Sequence, residues 1–102
     1  MSIKILKLVS GDDVITTTIG EGDGIVMEKP IRLMSYPDPQ TGDMGIVFMK
    51  WCPYTDKEVF KIASIHVITE VEEKDIPEDI LNEYRKKFGS GIDIPTGPSL
   101  II

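Results

Sequence analysis

The stretch Lys50-Trp51-Cys52-Pro53-Tyr54 holds the residue types in this sequence that are best suited to binding. Its two aromatic rings and its lysine fall where a strand is predicted to end and a loop to begin, and Lys57 follows three residues later. Aromatic rings beside cations can stack the bases of single-stranded nucleic acid while the cations contact phosphate. The same residue types at a strand end also form core lids and protein interfaces, and the sequence favours that structural interpretation.

Another candidate cation, Lys29, stands next to Pro30 in a predicted strand. Proline cannot donate a hydrogen bond to a strand ladder, so Pro30 predicts a bulge or an open edge. Lys29 falls on the otherwise apolar face of that strand. A lysine that extends its amine from the rim to solvent explains this position without a function, and a phosphate contact is the alternative. The candidate nucleic-acid-binding residues are therefore Lys29, Lys50, Trp51, Tyr54 and Lys57.

Catalytic and metal chemistry find little support in the residues. His66 has Ser64 and Glu70 on its strand face, but these are too far apart along a strand for a proton relay. Cys52 is predicted to be a packed side chain. One histidine and one cysteine cannot form a His/Cys metal cluster. The sequence therefore predicts a protein that is not an enzyme and that needs no metal or cofactor.

The composition of the chain limits the classes of partner that it can bind. The 102 residues include 11 basic and 17 acidic side chains, for a net charge of −6. This excludes a domain-wide basic surface, so any phosphate contact has to come from a local patch. No apolar run approaches the roughly 18 residues that mark a membrane span. With a single cysteine as well, the sequence predicts one soluble, cytoplasmic domain with no membrane partner.

Turn residues recur regularly through the first two-thirds of the chain, between short runs rich in β-branched residues. This pattern is typical of a small all-β barrel or sandwich. The last strand is predicted to bend at Ala63-Ser64 and change partner there, with Ile65, Val67 and Val71 on one of its sides. The five predicted strands are Ile3–Val9, Val14–Ile19, Ile25–Tyr36, Met44–Trp51 and Val59–Val71.

The hydrophobic period changes to that of a helix at residues 75–88. Asp75 is the predicted N-cap, Pro77 follows it, and Gly89 ends the helix. The fold class is therefore mainly β: a small, strongly bent five-stranded barrel over residues 1–74, a C-terminal α-helix packed on it over 75–89, and a flexible tail over 90–102. The predicted core stripe of the helix is Ile80, Leu81, Tyr84 and Phe88.

The turn Leu8-Val9-Ser10-Gly11-Asp12-Asp13-Val14 resembles the turn between the first two strands of the Sm-like (LSm) family, whose fold is a strongly bent, SH3-like barrel of five strands. The resemblance covers about residues 2–90 and implies a homo-oligomeric ring of about five to seven subunits, built by edge-to-edge strand pairing. Further segments are similar to a Sm-like group of tailed phages, including marine cyanophages: Glu28-Lys29-Pro30-Ile31, Lys50-Trp51-Cys52-Pro53, Ile76-Pro77 and Glu83-Tyr84.

The family's own RNA-binding residues do not carry over. The loop Glu21–Gly24 lacks the family's asparagine, no arginine precedes Ala63-Ser64, and the helix follows the barrel rather than preceding it. The leading hypothesis is a ring that binds single-stranded RNA or DNA, with a role in phage nucleic-acid processing, because a ring repeats each weak contact. The alternative is a phage structural or protein-interaction module without nucleic-acid binding, which suits the acidic net charge.

Overall fold

The computed structural model describes residues 2–21, 24–88 and 99–101, which form one antiparallel sheet and one α-helix. The elements are β1 Ser2–Leu8, β2 Asp13–Glu21, β3 Gly24–Pro37, β4 Met44–Lys50, β5 Val59–Ala63, β6 Val67–Glu72, α1 Glu78–Phe88 and β7 Ser99–Ile101. The sheet order is β6-β1-β2-β3-β4-β7, and β5 also pairs with β3. A mainly β protein with a C-terminal helix is thus confirmed.

The predicted change of partner at Ala63-Ser64 is confirmed. The predicted strand Val59–Val71 divides into β5, which pairs with β3, and β6, which pairs with β1. The turn Ser64–His66 between them is a 3₁₀ helix. This turn breaks the period of two, so the prediction that Ile65 shares a side with Val67 is wrong: Ile65 is 79% exposed, whereas Val67 packs against the core.

β3 is the longest strand and receives two partners along one edge. Glu28 is opposite Val59 of β5, and Ile31 is opposite Lys50 of β4. Between these pairs β3 has residues 29 and 30, whereas the opposite chain has residues 51–58. The longer segment projects as a loop, which we call the 51–58 loop.

A β-bulge in β3 lies beside that loop. Ile15 pairs with Ile31 but Thr17 pairs with Glu28, so β3 has one extra residue opposite Thr16. The bulge predicted at Pro30 is therefore confirmed. Its other residue, Lys29, has a φ of 50°, in the left-handed region that residues with a Cβ rarely adopt.

Helix α1 covers one face of the sheet with its apolar stripe. Ile80, Leu81 and Tyr84 are buried against the sheet, in agreement with the predicted stripe; the side chain of Phe88, and Gly89, lie outside the described residues. The helix begins at Glu78, and the N–H groups of residues 80 and 81 bond the Pro77 carbonyl. The predicted cap at Asp75 is wrong, because Asp75 ends a separate 3₁₀ turn. The buried helix residues form one hydrophobic core cluster with Ile15, Ile31 and Phe48 of the sheet. A second core cluster contains Leu6, Leu8, Val14 and Met27.

The sheet is open in the part of the chain that the structure describes. There β5 pairs with β3 alone and β6 with β1 alone, so the two strands do not close on each other. The outer edge of β4 pairs with β7, which places Ile46 opposite Ile101. Residues 90–98 and Ile102 of the predicted flexible tail lie outside the described residues.

Candidate functional site

The β3 bulge and the 51–58 loop bring the five predicted site residues into one region. Lys50 ends β4, and the loop that follows contains Trp51, Tyr54 and Lys57. The Trp51 N–H donates to the Pro30 carbonyl at 3.3 Å, and the Lys29 N–H donates to the Glu58 carbonyl at 2.7 Å. The bulge therefore holds the first and the last residue of the loop, and this places Lys29 at the loop base.

Two further hydrogen bonds, both accepted by Thr55, stabilise the loop. The Lys50 ammonium donates to the Thr55 carbonyl at 3.1 Å, and the Lys57 N–H donates to the Thr55 hydroxyl at 3.1 Å. The first bond joins residues on both sides of the turn Pro53-Tyr54, and the second lies after that turn. Lys50 thus stabilises the loop, and its charge has no carboxylate partner in the described part of the chain.

The two aromatic residues of the loop have different environments. The Trp51 ring is half-buried and packs edge-on against Phe60, with ring centroids 5.5 Å apart and planes at 89°. It lies against the cluster of Leu6 and Met27 as a lid, which is the structural interpretation that the sequence favoured. Tyr54 is 94% exposed at the loop tip. Tyr54 is therefore the aromatic face that a ligand can reach.

Lysines without a carboxylate partner are concentrated at this site. Lys29, Lys50, Lys57 and Lys61 form no salt bridge within residues 2–21, 24–88 and 99–101, and Lys57 instead lies 5.4 Å from the centre of the Phe60 ring. Six basic side chains elsewhere pair with acids: Lys4–Glu70, Lys7–Asp13, Arg32–Asp12, Lys74–Glu72, Arg85–Glu73 and Lys87–Glu83.

Lys61 is a further cation of the site; the sequence places it near the stretch 50–54, but it is not among the five predicted site residues. It is exposed on β5, beside the loop, and its side chain passes Gly24, where an added Cβ would come within 2.8 Å of the lysine Cε. The exposed and half-buried residues alternate along β5, and this period of two was a signal that could have found it. Asp56 and Glu58 are also exposed here, so the surface is of mixed charge and its attraction for phosphate is moderate.

Tyr84 of α1 contacts the β3 bulge from the buried side of the sheet. Its hydroxyl oxygen lies 3.1 Å from the Lys29 carbonyl and 3.3 Å from the Glu28 carbonyl. Burial raises the pKa of Tyr84 above its ordinary value, so the hydroxyl keeps its proton at neutral pH. The sequence indicated Tyr84 as a core residue of the helix but gave no sign of this contact.

The other residues considered for chemistry are dispersed. His66, Ser64 and Glu70 are exposed, and Cys52 is a half-buried free thiol. Among the described residues, no three His, Cys, Asp or Glu side chains are grouped so as to hold a metal ion. The described part of the chain also has no helix with the length and apolar character needed to cross a membrane.

Comparison of the sequence with models of known protein families and with curated proteins finds no match.

Proposed function

We propose that this protein is a non-enzymatic, Sm-like barrel protein that assembles into a homo-oligomeric ring and binds single-stranded RNA or DNA in a phage nucleic-acid process. The observation that carries the proposal is the group of lysines around the 51–58 loop, beside the exposed Tyr54, that have no carboxylate partner among the described residues. Such lysines attract phosphate without first giving up an ion pair.

The path of the chain supports the barrel. The turn Ser64–His66 carries the chain within three residues from a strand on the β3 edge to a strand on the β1 edge. The Val9 N–H donates to the His66 carbonyl at 2.9 Å, so this turn lies against the end of β1. A short connection between the two ends of one sheet requires the sheet to be strongly bent, as in small SH3-like barrels.

The strand edges support self-association. In the described residues, β5 and β6 each have one edge without a partner. Large apolar side chains are exposed on these strands and on the turn between them, with Val59 at 46%, Ile65 at 79% and Ile68 at 63%. Open edges flanked by apolar side chains are surfaces for pairing with another chain. Pairing of β5 with the β6 of the next copy joins two different surfaces, and such heterologous contacts form a ring when the rotation between copies closes.

Ring assembly reconciles nucleic-acid binding with a net charge of −6. Each subunit contributes its own Tyr54 and its own group of lysines, and the contacts to one strand add by effective concentration. A base that stacks on an aromatic side chain gains about 1–3 kcal/mol whatever its identity. We therefore expect binding that depends on salt and has little sequence preference.

The binding proposal is tested with a dye-labelled single-stranded oligonucleotide, by fluorescence anisotropy at low and at moderate salt. The double variant Lys57→Gln/Lys61→Gln should bind more weakly than wild type. The double variant Lys7→Gln/Lys74→Gln is the control, because it makes the same charge change at lysines that already have acidic partners. Absence of wild-type binding at both salts, or an equal loss in the two variants, would reject the proposal.

The ring proposal is tested by light scattering on the purified protein. Wild type should have a mass of about five to seven chains, and Ile65→Glu/Ile68→Glu should lower it. Met34→Glu/Met44→Glu is the control, because it places the same charges on exposed apolar residues away from the β5 and β6 edges. A monomeric wild type would reject the ring.

A protein-interaction module is the second candidate function. Its supporting observation is the exposure of Met34, Tyr36 and Met44 on the β3–β4 hairpin, at 40%, 41% and 62%. Exposed apolar residues grouped in this way are typical of protein contacts. Capture of a protein partner that Tyr36→Ala/Met44→Ala abolishes, together with failure to bind oligonucleotides, would favour this function.

A further inference from the structure

The β3 bulge has a backbone conformation that its neighbours must stabilise. Lys29 carries a Cβ, yet its φ is 50°. A residue with a Cβ is strained in this region, and such a residue stays there when the surrounding contacts hold it.

Two hydroxyl groups hold the bulge from the core side. The Thr16 hydroxyl donates to the Glu28 carbonyl at 2.8 Å. The Tyr84 hydroxyl lies within reach of the Glu28 and Lys29 carbonyls and 3.4 Å from the Thr17 hydroxyl. Tyr84 is 2% exposed, so water does not replace these bonds in the folded protein. The helix therefore reaches across the core to the two carbonyls at the bulge.

The backbone groups of the bulge that point away from the core hold the 51–58 loop. The Lys29 N–H bonds the Glu58 carbonyl, and the Pro30 carbonyl accepts from the Trp51 N–H. Both ends of the loop are thus attached to adjacent residues of β3. The Glu28 carbonyl and the Lys29 N–H belong to one peptide unit, so the hydroxyls that hold this carbonyl also fix the direction of the N–H that holds the loop.

We propose that Tyr84 is a positioning residue for the 51–58 loop, since its hydroxyl fixes the bulge and the bulge fixes both ends of the loop that presents Tyr54 and Lys57. The expected effect on oligonucleotide binding rests on the proposed function. The position of the loop is measured without any ligand, so the positioning role of Tyr84 and the proposed function can fail separately.

Trp51 provides that structural readout. It is the single tryptophan of the chain and the first residue of the loop, so tryptophan fluorescence reports the base of the loop. Tyr84→Phe removes the hydroxyl and leaves the ring in the core. We expect this variant to raise acrylamide quenching of Trp51 by about twofold, because the loop base opens locally. Loss of one hydrogen bond of about 0.5–1.5 kcal/mol corresponds to oligonucleotide binding that is about two- to tenfold weaker.

Two control variants separate positioning from stability. Tyr36→Phe removes a hydroxyl from a partly exposed tyrosine and should change neither readout. Ile80→Val weakens the packing of the same helix face without touching the bulge, and it should lower stability while leaving Trp51 quenching unchanged. Far-UV circular dichroism of each variant checks that the fold is retained.

The outcomes are distinct. Equal Trp51 quenching in wild type and Tyr84→Phe overturns the inference, and so does an equal rise in Ile80→Val. If Tyr84→Phe does not fold, Thr17→Val replaces it in the test, because this variant removes a hydroxyl beside the Tyr84 oxygen. Thr17→Val should raise Trp51 quenching by a smaller amount, and unchanged quenching overturns the inference. A rise in quenching without oligonucleotide binding by wild type supports the positioning role and rejects the proposed function.

Discussion

Replacing the two aromatic residues of the 51–58 loop should separate stability from binding. Tyr54 is 94% exposed, so Tyr54→Ala should change the free energy of unfolding by less than about 0.5 kcal/mol. If Tyr54 stacks a base, the same variant loses about 1–3 kcal/mol of binding per base. That corresponds to oligonucleotide affinity about 5- to 150-fold lower.

Trp51→Ala should have the opposite effect, with a large loss of stability and little direct loss of base stacking. Truncation of a fully buried tryptophan costs about 3–5 kcal/mol, and half of that applies to a half-buried ring. The edge-on contact with Phe60 at 5.5 Å adds about 0.5–1.5 kcal/mol. We therefore expect the free energy of unfolding to fall by about 2–4 kcal/mol. Trp51→Phe retains an aromatic lid and should lose less.

Urea unfolding followed by far-UV circular dichroism measures stability for all of these variants, because Trp51→Ala removes the fluorescent reporter. Anisotropy at one fixed salt measures their oligonucleotide affinity. The reasoning is refuted if Tyr54→Ala lowers the free energy of unfolding by more than about 1 kcal/mol, or if Trp51→Ala leaves it unchanged. Affinity that depends on Trp51 and not on Tyr54 would make Trp51 the stacking ring.

The remaining predictions concern the helix, alkaline pH and the C-terminal strand. Leu81 is 4% exposed, so urea unfolding should show a loss of about 2–5 kcal/mol for Leu81→Ala and less than about 0.5 kcal/mol for the exposed control Asn82→Ala; equal losses would mean that the helix does not pack as described. Burial raises the pKa of Tyr84 above 10.0, so the unfolded chain loses this proton first, and the associated stability is complete below pH 10 and falls as pH rises above it. Urea midpoints measured through this range should decline less steeply in Tyr84→Phe than in wild type, and parallel declines would contradict the assignment. Removal of residues 99–102 uncovers the β4 edge at Ile46–Phe48, and light scattering should then detect larger species that increase with concentration; an unchanged mass distribution would show that β7 does not protect this edge.

Local patterns predicted the elements well. The run of β-branched residues from Val14 to Ile19 lies in β2, and the switch to a helical period after residue 75 matches α1. Pro30 indicated the bulge because a missing N–H is a local property. The errors at Ile65 and Asp75 fall on short 3₁₀ turns, whose few residues shift the pattern without an independent signal.

The features that distinguish the site depend on contacts between distant residues, and this is why the sequence did not show them. Lys4 is neutralised by Glu70, which is 66 positions away, whereas Lys61 has no such partner among the described residues. No local pattern tells these two lysines apart. The contact of Tyr84 with the Lys29 carbonyl likewise depends on how the helix packs on the sheet.

The salt dependence of oligonucleotide binding tests the central claim most directly. Each lysine that contacts phosphate on a single strand contributes about 0.7 to the slope of log affinity against log salt concentration. The account predicts a steep slope for wild type, a slope shallower by about 1.4 or more for Lys57→Gln/Lys61→Gln, and an unchanged slope for Lys7→Gln/Lys74→Gln. The same slope in all three proteins would contradict it.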